Sequence, residues 1–66
     1  MKLIEYRKKE QMTQIDLAEA LGVAQSNIVY WENGERIPRA EAMQKIVAYT
    51  NGEVQPNDFY GVNDEN

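Results

Sequence analysis

The chain has 66 residues and a formal net charge of -4, with no cysteine and no histidine. A chain this short forms one domain and buries only about 60% of its unfolded surface, so helix packing, alone or with a partner subunit, must hold it together. Disulfides and thiolate or imidazole metal sites are excluded, and no apolar run approaches the roughly 20 residues that cross a bilayer.

The first element is a helix over residues 2–10, where Leu3, Ile4 and Tyr6 make a thin apolar stripe among Glu5, Lys8, Lys9 and Glu10. The start, Met1-Lys2-Leu3-Ile4-Glu5, places charge where a signal peptide needs a continuous apolar segment, so a soluble, cytoplasmic chain is expected. Thr13 opens a second helix as N-cap. Asp16 sits three residues on, at the capping-box spacing with Asp in place of Glu. Leu17, Ala18 and Leu21 line its inner face, and Gly22 is the natural stop.

Only Val23 and Ala24 separate that stop from a third helix carrying Ile28 and Trp31, with Val23 sealing the corner and Asn33-Gly34 ending the segment. Trp31 is assigned mainly to packing. Glu35 to Arg39 form a charged loop in which Pro38 limits where the next helix begins. Residues 40–50 read as a fourth helix with Met43, Ile46, Val47 and Thr50 on one face. Pro56 at N1 and Asp58 at N3 suit a last short helix anchored by Phe59. The helical domain spans residues 1–62, and a polar, frayed tail occupies 63–66. Two brief helices joined through so tight a corner form the supersecondary unit whose second helix can enter a DNA groove.

The segment from Thr13 to Gly34 resembles the phage repressor and Cro-like helix-turn-helix family. Gln14, Leu17-Ala18, Gly22-Val23, Ile28 and Glu32-Asn33-Gly34 carry the likeness, which extends with the flanking helices over residues 3–60. It implies an all-α, compact five-helix bundle, a lambda-repressor-like domain. It also implies a transcriptional regulator, a repressor, that binds a palindromic double-stranded DNA operator as a homodimer through the third helix. By the same resemblance, Gln14 contacts a phosphate and braces the first residue of the reading helix, and Arg7 pairs with Glu32. Gln11 departs from the family's usual glycine and weakens the first helix stop. Glu35 replaces a basic phosphate contact, Arg39 replaces a helix-capping serine, and the turn from Thr50 to Gln55 is longer than the common form.

Five residues are candidate base readers: Gln25, Ser26, Asn27, Val29 and Tyr30. A glutamine amide offers a donor and an acceptor that match adenine N6 and N7 together. The alternative for Gln25 is a solvent-facing side chain at a helix start. Ser26 donates or accepts and names no base alone. Asn27 stands open between base, phosphate and neither. Val29 suits a thymine methyl, and Tyr30 suits sugar or phosphate. Candidate backbone contacts are Gln14, Asn33, Arg36, Arg39, Lys8 and Lys9, each weighed against an ordinary solvated charge or a surface polar group.

The charge distribution leaves this reading intact. Residues 1–45 hold seven bases and seven acids, and the excess of four acids lies wholly in residues 46–66. Phe59, Tyr60 and Val62 are the candidate dimer surface, with Phe59 also suited to plug the core. No cofactor is implied. Carboxylates without histidine, cysteine or a phosphate loop do not compose a recognisable catalytic site in a bundle of this size, so an enzyme is not expected. The competing reading is a protein-interaction module or antitoxin-like regulator on the same scaffold.

Overall fold

The computed structural model describes residues 1–60. It contains five helices in the order α1 (Leu3–Lys9), α2 (Gln14–Leu21), α3 (Gln25–Asn33), α4 (Ala40–Tyr49) and α5 (Asn57–Tyr60). The all-α, five-helix expectation holds. The proposed boundary between residues 62 and 63, the tail and Val62 lie outside the described residues.

Helices α1, α2 and α5 begin on local hydrogen bonds. In α1 the Lys2 N–H donates to the Glu5 carboxylate at 2.8 Å. Glu5 in the first turn and Arg7, Lys8 and Lys9 in the last oppose the charges of the helix dipole. The capping box of α2 forms as its spacing predicts. Thr13 N–H donates to Asp16 Oδ2 and Asp16 N–H to Thr13 Oγ1, both at 3.0 Å. Donation from the Thr13 backbone and then its side chain holds the Asp16 carboxyl below its ordinary value.

Four helices stop on the same paired turn. After α1, Gln11 N–H donates to Lys8 O and Met12 N–H to Arg7 O, at 3.0 and 2.9 Å. Corresponding pairs of bonds close α2 through Gly22 and Val23, α3 through Gly34 and Glu35, and α4 through Asn51 and Gly52. This is the Schellman arrangement, which needs one residue in the left-handed region. Gly22 and Gly34 fill that place after α2 and α3, whereas Gln11 (φ 58°) and Asn51 (φ 54°) fill it after α1 and α4. The first helix stop is therefore complete despite its missing glycine. Its cost is a side chain held left-handed, about 1–2 kcal/mol.

The core is a single cluster of Leu3, Tyr6, Leu17, Ala18, Leu21, Ile28, Trp31, Ile46 and Val54. Met12, Val23, Ala42 and Phe59 pack against it. Trp31 is buried, and Val23 seals the α2–α3 corner from its edge. On α4, Met43, Ile46 and the C-cap Thr50 are buried and Val47 is half-buried.

Val54 is fully enclosed although it belongs to no helix. Thr50 explains how the longer turn delivers it there. Its hydroxyl donates to Ile46 O at 2.9 Å and accepts the Val54 N–H at 3.1 Å. The turn is thus hooked back onto α4 and drives Val54 inward.

At α5, Gln55 N–H donates to Asp58 Oδ2 at 2.7 Å. That bond is the one an N3 acid makes to its N-cap, so Pro56 and Asp58 hold their expected registers although regular helix begins at Asn57. The Met1 ammonium donates to Glu53 O at 2.6 Å and to Asp58 Oδ2 at 3.2 Å. Lys9 pairs with Glu53 on the same side. These contacts tie the beginning of the chain to the turn before α5.

Candidate functional site

The corner between α2 and α3 fixes which side of α3 meets solvent. Successive residues turn by about 100° on a helix. Burial of Ile28, Trp31 and the Glu32 carboxylate therefore directs Ser26, Val29, Tyr30 and Asn33 outward. Gln25 and Asn27 fall on opposite flanks of that arc. Gln25, Ser26 and Asn33 are exposed, while Asn27, Val29 and Tyr30 are half-buried.

A polar cluster sets the angle of α3. Arg7 Nε donates to Glu32 Oε2 at 2.6 Å and Arg7 Nη2 to Glu32 Oε1 at 3.0 Å. Gln14 Nε2 donates to the same Oε1 at 3.0 Å, and Arg7 Nη1 donates to Met12 O at 3.1 Å. One carboxylate on α3 thereby gathers α1 and the start of α2. The side chains of Arg7 and Glu32 are only 13% and 3% exposed, so the pair is largely shielded from water. The Glu32 hydrogen bonds raise the Arg7 pKa above its ordinary value against the opposing effect of burial.

Gln14 has a structural partner that the resemblance did not name: its amide donates to Glu32, near the end of α3. The reason is proximity in the cluster: Glu32 has an acceptor available beside the arginine fork. Spacing alone did not reveal this bond. The i-to-i+18 relation between Gln14 and Glu32 crosses two helices and leaves no local pattern.

An open groove runs between α3 and α4. Val23, Trp31, Ile37 and Ala42 form its apolar portion, and Asn27, Arg36, Arg39, Glu41 and Lys45 complete the lining. Arg36 and Arg39 therefore share one surface with Asn27. Lys45 joins them and was missed in the sequence. Its only prior signal is helical periodicity, which places it one turn beyond Glu41 on α4.

Arg39 is the extended N-cap of α4, and its side chain makes no capping hydrogen bond. The Arg36 guanidinium lies over the Tyr30 ring, 4.4 Å from its centroid. Lys8 is exposed. Lys9 is engaged by Glu53, by Glu10 at 3.7 Å and by the Tyr6 ring at 5.3 Å. Its donation to the Glu53 carboxylate raises its pKa, first among several causes. Lys9 is thereby committed to the α1–turn seam, apart from the arginines of the groove.

Asn33 closes α3 and lines a smaller cleft with Lys2, Ile4, Asp58 and Phe59, on the other side of Trp31. Phe59 packs against the core, and Tyr60 is exposed. Among the described residues, no group of three or more histidine, cysteine, aspartate or glutamate side chains is placed to hold a metal ion. No described helix is long and apolar enough to cross a membrane. A family model described as helix-turn-helix matches residues 3–57. Comparison with curated proteins and with solved structures finds no match.

Proposed function

This chain belongs to the helix-turn-helix family of DNA-binding regulatory modules, and we propose that it is a sequence-specific repressor of the phage repressor and Cro type. The observation that carries the reading is the outer face of α3, held by the Arg7–Glu32–Gln14 cluster beside a groove that bears Arg36, Arg39 and Lys45. A helix of this diameter fits the major groove, where base edges present distinct patterns of donors and acceptors. Gln25 and Ser26 supply polar readout, Val29 meets a thymine methyl, and Asn27 works from the flank nearer the arginines. Arg36 and Arg39 supply salt-dependent backbone affinity, joined by Gln14, Asn33 and Lys8.

One α3 spans few base pairs, so useful discrimination calls for two copies on a palindrome, with centres about 34 Å apart. A twofold pair provides that spacing by self-complementary contact. Phe59 is occupied by the core, which moves the proposed dimer surface towards Tyr60. We assign the protein to the cytoplasm on the same reading.

Selection of bound duplexes from a random pool tests the proposal. A palindromic site bound two-to-one is expected. Gln25→Ala should weaken the selected site by about 1–3 kcal/mol and leave scrambled duplex almost unchanged. A pool without enrichment, together with a stable complex with another protein, would replace this reading by the interaction-module one.

A further inference from the structure

The geometry points to Tyr30 as a positioning residue that holds Arg36 for the duplex backbone, in place of a base-reading role. This rests on the DNA-binding reading above. Two independent contacts fasten the start of the α3–α4 loop to Tyr30. Its carbonyl accepts the Glu35 N–H at 2.9 Å and the Arg36 N–H at 3.4 Å. Its ring carries the Arg36 guanidinium at 4.4 Å from the centroid, close enough for attraction by the ring quadrupole.

Tyr30 is half-buried although it lies on the outward arc of α3. The face turned to Arg36 is not open to a base. A free arginine on an exposed loop samples many rotamers and loses them on meeting phosphate. Holding the guanidinium over the aromatic ring removes much of that freedom beforehand, and a group with several N–H donors keeps some of them available for phosphate. Arg36 also lines the groove shared with Arg39 and Lys45, so the restrained guanidinium stands with the other cations of that surface. Tyr30 then contributes to affinity for any duplex and adds nothing to the choice of base.

A double-mutant cycle tests this on the selected duplex and on a scrambled one, at a temperature where every variant is fully helical. Tyr30→Leu should weaken both duplexes alike, by about two- to five-fold, the equivalent of one exposed cation–π contact. Tyr30→Phe keeps the ring and should bind as the parent does. In an Arg36→Ala background, Tyr30→Leu should have no further effect. Equal losses for Phe and Leu assign the effect to the hydroxyl and overturn the inference. So does a loss confined to the selected duplex, or one that persists in the Arg36→Ala background. If the parent binds duplex but Arg36→Ala leaves its salt dependence unchanged, Arg36 makes no phosphate contact and the backbone part of the proposed function fails. If the parent binds no duplex, the DNA-binding reading fails as a whole, and this inference with it.

Discussion

Glu32→Gln removes one charge and one acceptor from the cluster that orients α3. The native carboxylate accepts three hydrogen bonds, two from Arg7 and one from Gln14. A glutamine retains one acceptor oxygen and turns an amide N–H2 towards a donor. Breaking one side of a fully buried pair costs about 3–5 kcal/mol. Here the arginine side chain retains 13% exposure, and its bond to Met12 O survives. Solvent and that bond reduce the expected loss to about 2–4 kcal/mol.

A domain of this length has a total stability of about 3–10 kcal/mol. The melting temperature should therefore fall by on the order of 15 °C, at about 4–8 °C for each kcal/mol. Thermal unfolding followed by circular dichroism measures the loss. Duplex selectivity, measured well below the new midpoint, reads the orientation of α3 separately and should also decline. Arg7→Lys keeps the charge without the planar fork and should fall between the two proteins. A melting point within about 3 °C of the parent, with selectivity intact, would place this pair among ordinary surface ion pairs and refute the reasoning.

Gln11→Gly should stabilise the protein by about 0.5–1 kcal/mol, because relief of a left-handed side chain exceeds the added freedom of the unfolded glycine. Urea unfolding checks it through a higher midpoint at unchanged slope. Thr50→Val should cost about 1–3 kcal/mol, since it strands the buried Val54 N–H; the same titration on Thr50→Ser should recover most of the loss. Asp16 has a folded pKa below its ordinary 3.8, so its contribution is fully present above 3.8 and disappears as pH falls through the lower folded value. The difference in midpoint between the parent and Asp16→Asn should shrink on acidification, and a constant difference would show that the carboxylate charge is not its source.

The helix boundaries were legible because their signals are local. Thr13 with Asp16, Gly22, Asn33-Gly34 and Pro56 with Asp58 each act within a few residues. So was the inner face of α2 and α3, where Leu17, Leu21, Ile28 and Trp31 follow helical spacing. The turn after α4 was opaque for two reasons. Helical spacing puts Thr50 on the inner face of α4 but does not reveal the bonds its hydroxyl makes to Ile46 O and to the Val54 N–H. Val54 stands alone between polar neighbours, with no periodic partner to mark it as core.

The site divides along the same line. The Arg7–Glu32 pair followed from family likeness, whereas the bond from Gln14 to Glu32 and the place of Lys45 in the groove depend on how α2 and α4 pack against α3. The place of Arg36 over the Tyr30 ring depends on how the loop folds back over the end of α3. No rule of local spacing encodes those placements.

The four left-handed stops also bear on the thermodynamics of recognition. In each, two amides that open loops leave to solvent are bonded to the preceding helix. These amides, Met12, Val23, Glu35 and Gly52 among them, should resist hydrogen exchange almost as helix interiors do. The connectors joining α1 to α2 and α2 to α3 are consequently stiff joints. Reading helix and bracing helix would meet a duplex as one preformed body, with little backbone disorder left to surrender. Association then keeps a larger share of its contact free energy. Its heat-capacity change should match the apolar area covered at the interface, without the larger negative increment that accompanies folding on contact.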